Sequence, residues 1–172
     1  MRVWQLLLLV IVLAAGGCGY NGGSSSGGYQ WKSLYRQDVQ TVAVPIFKNV
    51  DFHRGVEIAL TKAIVNNLES HSPYKVVDQK KADTVLQGEI VSIKAHDVSS
   101  ESRSAVPQEE LYIVTCNFVW KDLRNGRILV ERKNYEQTST YYPTLGESQW
   151  VGSQAAVEPL AQGIVQELQH DW

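Results

Sequence analysis

Four histidines, two cysteines and one pair of adjacent glutamates are the side chains in this 172-residue sequence whose types suit acid–base, nucleophilic or metal chemistry. Their spacing argues against most of it. His53, His71, His96 and His170 are scattered, with no His-x-x-x-His pair to share a helix face and no cysteine among them, so they read as solvated or hydrogen-bonded side chains. Ser148, in Gly146-Glu147-Ser148-Gln149-Trp150, lacks the second glycine of a nucleophile elbow. Glu147 there suits a helix start, where a carboxylate meets the positive end of the dipole. Cys116 stands among Val114, Phe118 and Trp120, the surroundings of a small buried apolar side chain more than of a nucleophile. Glu109 and Glu110 follow a polar run, and an acid–base role for them needs a pocket that the sequence does not supply. The expectation is a protein that is not an enzyme, with no catalytic residue, no metal and no cofactor.

Cys18 is different. It follows an apolar run, Val3 to Ala15, that carries no charge after Arg2, holds an h-region at Leu6 to Ala15, and is shorter than the ~20 residues a membrane-crossing helix needs. Ala15, Gly16 and Gly17 then offer the small side chains that a signal peptidase accepts. Ala15-Gly16-Gly17-Cys18 resembles the lipobox of bacterial lipoproteins, with Ala15 where Leu is usual. The resemblance implies that the chain is cut before Cys18 and that the cysteine carries acyl chains such as palmitate. Each buried methylene adds ~0.8 kcal/mol, so two or three chains on one residue hold a protein on a bilayer where a single short chain does not. The alternative is a plain secretory signal cleaved near Ala15, with Cys18 incidental; on either reading the mature protein is exported. Gly19 stands where an Asp would, by the sorting rule of Gram-negative bacteria, retain a lipoprotein in the inner membrane. By that resemblance the address is the outer membrane, lipid-anchored and facing the periplasm.

Three segments follow: a signal peptide over 1–17, a lipidated cysteine with a Gly/Ser-rich tether over 18–30, and a single domain over 31–172. The tether has the composition of a flexible coil. The domain, roughly 140 residues, is long enough to bury its own core. A formal net charge of −2 gives no basic excess that would point to nucleic acid. With Cys18 acylated, Cys116 has no partner, and two cysteines make no disulfide framework.

Hydrophobic period supplies the elements. Val39 to Phe47 is rich in β-branched residues, places Val42, Val44 and Ile46 on one side, and reads as a strand. Val56, Ala59, Leu60, Ala63, Ile64, Asn67 and Leu68 recur at helical spacing, and Pro73 ends that helix near His71. A short strand follows at Tyr74 to Asp78. The longer strand from Thr84 slips its alternation around Gly88, where a bulge is expected. In the next, Tyr112, Val114, Cys116, Phe118 and Trp120 line one face, while Leu111, Ile113, Thr115, Asn117 and Val119 make a mixed one. Asn125-Gly126 signals a two-residue hairpin. Val157, Leu160, Ala161, Ile164, Val165 and Leu168 mark a closing helix that Pro159 either starts or kinks. The order predicts an α+β two-layer sandwich, two helices on one face of a mostly antiparallel four- to five-stranded sheet, with mixed pairing from the β-α-β opening.

The lipobox, the stretch Thr41 to Leu68, the strands at Tyr74 and Ala82, the antiparallel pair and the closing helix together resemble the lipopolysaccharide-assembly lipoproteins of the LptE kind. That resemblance implies a non-enzymatic role: a lipoprotein that sits with an outer-membrane β-barrel of the LptD type and supports both its assembly and the insertion of lipopolysaccharide into the outer membrane. Direct contact with the glycolipid's phosphates would need cations at a loop or strand end. Lys121, Arg124 and Arg127 flank the Asn125-Gly126 turn, and Arg132 and Lys133 lie just beyond; the alternative is a charged, solvated hairpin. The strand–loop–helix opening is also similar to periplasmic lipoproteins that activate peptidoglycan synthases or belong to curli-type secretion systems. No alternating membrane-spanning hairpin is present to favour a pore. Tyr141, Tyr142 and Pro143 form a further candidate contact surface, since tyrosine joins an apolar body to a polar tip.

Overall fold

The computed structural model describes residues 34–51, 53–97, 109–142 and 149–169. Residues 1–30, including Cys18, the run at 98–108, Pro143, Glu147, Ser148 and His170 lie outside the described residues. In chain order the elements are β1 (Thr41–Ala43), β2 (Lys48–Asn49), α1 (Val56–His71), β3 (Lys75–Val76), a 3-10 turn (Gln79–Lys81), β4 (Thr84–Asp97), β5 (Glu110–Asp122), β6 (Ile128–Tyr141) and α2 (Gln149–Gln166). The sheet order is β3-β1-β4-β5-β6, with β2 also beside β4. The short strands pair in parallel, while the long β4–β5 and β5–β6 ladders are antiparallel. This is the expected α+β two-layer arrangement.

The sheet has six strands rather than four or five, because Val39 to Phe47 does not form one continuous strand. Pro45 has no N–H to donate to β4. The chain pairs at Thr84–Val85 as β1, leaves the ladder, and rejoins it at Glu89–Ile90 as β2. The detour resets which side chains point inward. Phe47 is buried, whereas Ile46, expected on the inner side, is 65% exposed. The Phe47 N–H donates to Thr61 Oγ1 at 3.0 Å, and that hydroxyl donates in turn to the Glu57 carbonyl at 2.7 Å. Gly88 makes room for the same ring: a Cβ on it would overlap Phe47 and lie 2.8 Å from the Asn117 carbonyl oxygen. The irregularity expected at Gly88 instead falls between Ile90 and Ser92.

Helix α1 starts where Glu57 reaches back to accept the Gly55 N–H at 3.0 Å, and it ends at His71 before Pro73, as the sequence predicts. Val56, Leu60, Ala63, Ile64, Asn67 and Leu68 are buried at the expected three-and-four spacing, Ala59 is half-buried, and Thr61, off that stripe, is buried as well where it meets Phe47. Pro159 does not start the closing helix but lies inside it, since α2 begins at Gln149. Leu60, Ile64, Leu68, Leu160, Ile164 and Leu168 are all fully buried, each contributing about 1.5–3 kcal/mol of transfer free energy. They pack with the expected inner face of β5, Tyr112, Val114, Cys116, Phe118 and Trp120, in one core. Asn67 Nδ2 ties the helices together by donating to Glu158 Oε1 at 2.8 Å.

Candidate functional site

The β5–β6 hairpin carries the five cations named above. Its loop is Leu123 to Gly126, four residues rather than two, closed by the Asp122 N–H donating to the Arg127 carbonyl at 2.8 Å. Only Gly126 takes a left-handed conformation there, at φ 75°; Asn125 does not. The reason lies in Asp122. Its buried carboxylate accepts the Arg124 backbone N–H at 2.8 Å and Asn125 Nδ2 at 3.2 Å, which organises the longer loop. The Arg124 guanidinium then grips both oxygens of that carboxylate, at 3.1 and 2.8 Å.

Arg124 therefore belongs to the scaffold. Its Nη1 also donates to the Asp38 carbonyl at 2.9 Å, joining the hairpin to the segment that leads into β1. Asp83 supports the same junction by accepting the Gln40 and Thr41 N–H groups and the Thr41 hydroxyl, at 3.1, 3.0 and 2.8 Å. The hydroxyl bond and those amides hold the Asp83 carboxyl below its usual range. Arg132 pairs with Glu167 after α2 at 2.6 Å, and Lys133 with Glu131 at 3.4 Å. Lys121 and Arg127 are exposed and make no ion pair among the described residues. The structure thus leaves two of the five cations unengaged at the tip, beside Leu123 and Ile128, which are themselves exposed.

Among the described residues, helices cover only one face of the sheet. On the other, Leu111, Ile113, Asn117 and Val119 of β5 are half-buried and Thr115 is buried, so this face is neither fully polar nor fully exposed. The sequence marked it as mixed but gave no reason to rank it as a surface. Next to it, Pro45, Ile46, Lys48, Gly88 and Val119 line a recess of about 370 Å³ opened by the β1–β2 break.

The remaining chemical candidates fall apart in space. His53 Nδ1 is 2.6 Å from Asp51 Oδ1, whose second oxygen accepts the Ile93 N–H at 3.0 Å beside the β4 irregularity, a bracing role. Cys116 is fully buried, and burial pushes its thiol up to about 12. Among the described residues no three His, Cys, Asp or Glu side chains gather in a way that would hold a metal ion, and no helix is long and apolar enough to cross a membrane.

Two helices laid on one face of a short-parallel, long-antiparallel sheet define a class of small α+β domains seen in bacterial lipoproteins and related proteins. A point variant of the PelC dodecamer from Paraburkholderia phytofirmans superposes at TM-score 0.54 with 17% identity, covering 81% of this chain and 96% of that one. Lipoprotein B from Nitrosomonas europaea gives 0.55 with 13% identity over 84% and 91%. A protein of Xanthomonas campestris gives 0.54 with 12% identity over 74% and 82%. At such identities the likeness is one of fold. Comparison with curated protein sequences finds no match. The sequence pattern of the lipopolysaccharide-assembly family LptE matches residues 39–171, and the chain belongs to that family.

Proposed function

We propose that this protein is a lipid-anchored lipoprotein of the outer membrane, facing the periplasm, that supports the assembly and working of an LptD-type β-barrel in lipopolysaccharide insertion, without catalysing a reaction. Family membership over residues 39–171 is the observation that carries this reading. In it, residues 1–17 are a signal peptide, Cys18 bears the acyl chains, 18–30 is the tether, and 31–172 is the single working domain. The half-apolar sheet face opposite the helices suits a protein partner that covers it, since a partly buried apolar surface gains free energy when removed from water.

Lys121 and Arg127 are the cations best suited to the glycolipid's phosphates, because neither is held by a carboxylate in the described residues and Leu123 and Ile128 beside them suit its apolar part. Arg124, Arg132 and Lys133 are already paired with Asp122, Glu167 and Glu131, which offsets the charge each presents to a phosphate. The test is co-purification: tagged full-length protein and its Cys18→Ser variant are taken from detergent-solubilised envelopes, with mass spectrometry of partners and of the amino-terminal peptide. The reading expects an acylated Cys18 and a large β-barrel; an unmodified terminus with a cell-wall synthase in place of the barrel would overturn it.

A further inference from the structure

Asn125 and Gly126 sit exposed at the tip of the β5–β6 hairpin, and this dipeptide is a chemically labile join in any chain. The carbon of the Asn side-chain amide can be attacked by the backbone nitrogen of the next residue, and glycine, with no side chain, hinders that attack least. The nitrogen gives up its proton, a new N–C bond closes a five-membered imide, and the Asn amide nitrogen leaves as ammonia. Water then opens the imide at either carbonyl. The product is aspartate, or isoaspartate with the backbone rerouted through the side chain.

In the folded tip the atoms this reaction needs are already in use. The Gly126 N–H, whose proton must leave, donates to the Asp122 carbonyl at 2.9 Å. Asn125 Oδ1 accepts the Arg127 N–H at 2.8 Å, and Nδ2 donates to Asp122 Oδ2 at 3.2 Å. The side-chain amide is thus held at both ends, and it cannot turn toward the Gly126 nitrogen without breaking one of these bonds. A hydrogen-bonded backbone amide loses its proton only after the segment opens locally. Loss of that proton would also put negative charge beside the Asp122 carboxylate, which opposes it. Asp122 is fixed in turn by the Arg124 guanidinium on both of its oxygens.

We propose that Asn125-Gly126 is a guarded deamidation site: the Asp122–Arg124 clamp keeps it unreactive in the folded protein, and opening of the tip releases it. The product differs in charge as well as in covalent structure. A carboxylate would stand where Nδ2 now donates, facing Asp122 Oδ2, so two like charges replace a hydrogen bond and weaken the clamp that guarded the site. It also sets a negative charge between Lys121 and Arg127 in the loop they flank. The loss of phosphate binding that this would cause rests on the glycolipid reading above; the guarded chemistry does not.

Full-length protein in detergent, incubated at pH 8 and digested with glutamyl endopeptidase, tests it. The fragment over residues 111–131 is followed by mass spectrometry for aspartate and isoaspartate at position 125, and Asn21-Gly22, the same dipeptide in the same chain, serves as an internal clock. In urea the two sites should react alike. In the folded protein Asn125 should react at least about tenfold more slowly than it does in urea, with the Gly126 amide protected from hydrogen exchange. Asp122→Asn and Arg124→Gln, each shown to be folded by its thermal transition, should raise the Asn125 rate several-fold, Asp122→Asn the more, and leave the Asn21 rate unchanged. Asn125 reacting as fast in the folded protein as in urea overturns the proposal. So does a rate that neither substitution moves, which would assign the protection to the fold as a whole and not to this clamp.

Discussion

Arg124 holds both carboxylate oxygens of Asp122, at 2.8 and 3.1 Å, from a position two residues further along the chain, and with its remaining nitrogen reaches the Asp38 carbonyl 86 residues back. One guanidinium thereby fixes a hairpin tip and fastens the lead-in to β1 against it. The side-chain bond to Arg124 holds the Asp122 carboxyl at about 2, against an ordinary 3.8. A carboxyl whose folded value is depressed adds stability that is present above the unfolded value and disappears as pH falls through the folded one. Acid titration of stability should therefore show a loss between about pH 4 and pH 2 that is shallower in Arg124→Gln, whose thermal midpoint at pH 7 should also fall by a few degrees. Equal acid profiles for the two proteins would deny the pair this role.

Gly88→Ala should destabilise the domain by about 1–3 kcal/mol, because the new methyl group would overlap the buried Phe47 ring and crowd the Asn117 carbonyl. Chemical denaturation measures it. If the clash with Phe47 is the cause, adding Phe47→Leu should recover part of the loss in a double-mutant cycle; simple additivity would place the strain elsewhere.

The Cys116 thiol should resist alkylation in the folded protein at pH 8 and react fully in urea, as read by mass spectrometry of the Cys18→Ser chain, in which it is the one thiol. Burial holds its folded value at about 12 against an ordinary 9.0. The unfolded chain releases this proton first, so stability should decline as pH rises past about 9.

Reversing charge at Lys121 and Arg127 together should weaken binding of purified lipopolysaccharide by about tenfold or more, each lost charge-assisted contact costing ~1.5–3 kcal/mol, while leaving the thermal midpoint nearly unchanged. Arg124→Gln should instead act on stability. Unchanged glycolipid affinity in the double reversal would return these cations to a solvated hairpin.

Much of the fold could be read in the sequence wherever burial imposes one clean period. Tyr112, Val114, Cys116, Phe118 and Trp120 are buried in alternation, with Thr115 the one residue between them that is buried as well, and α1 and α2 keep helical spacing because each buries a stripe against the same core. The misreadings cluster where a tertiary contact overrides local pattern. Phe47 turns inward because Thr61 satisfies its N–H and Gly88 admits its ring, neither of which is visible from residues 39–47 alone. The two-residue turn expected from Asn125-Gly126 became four residues because Asp122 supplies acceptors to the loop. The five cations looked equivalent as a run; Asp122, Glu131 and Glu167 divide them, and Glu167 stands 35 residues beyond Arg132, just past the end of α2.

If an LptD-type barrel depends on this protein, the barrel's folded state fails when the protein is lost. Cells in which its expression can be shut off allow the most direct measurement: the folded fraction of that barrel, followed by its heat-modifiable mobility as the protein is depleted. Folded barrel should fall with depletion and return when wild-type protein, but not the Cys18→Ser form, is supplied. A folded barrel population that stays constant as the protein disappears would contradict it.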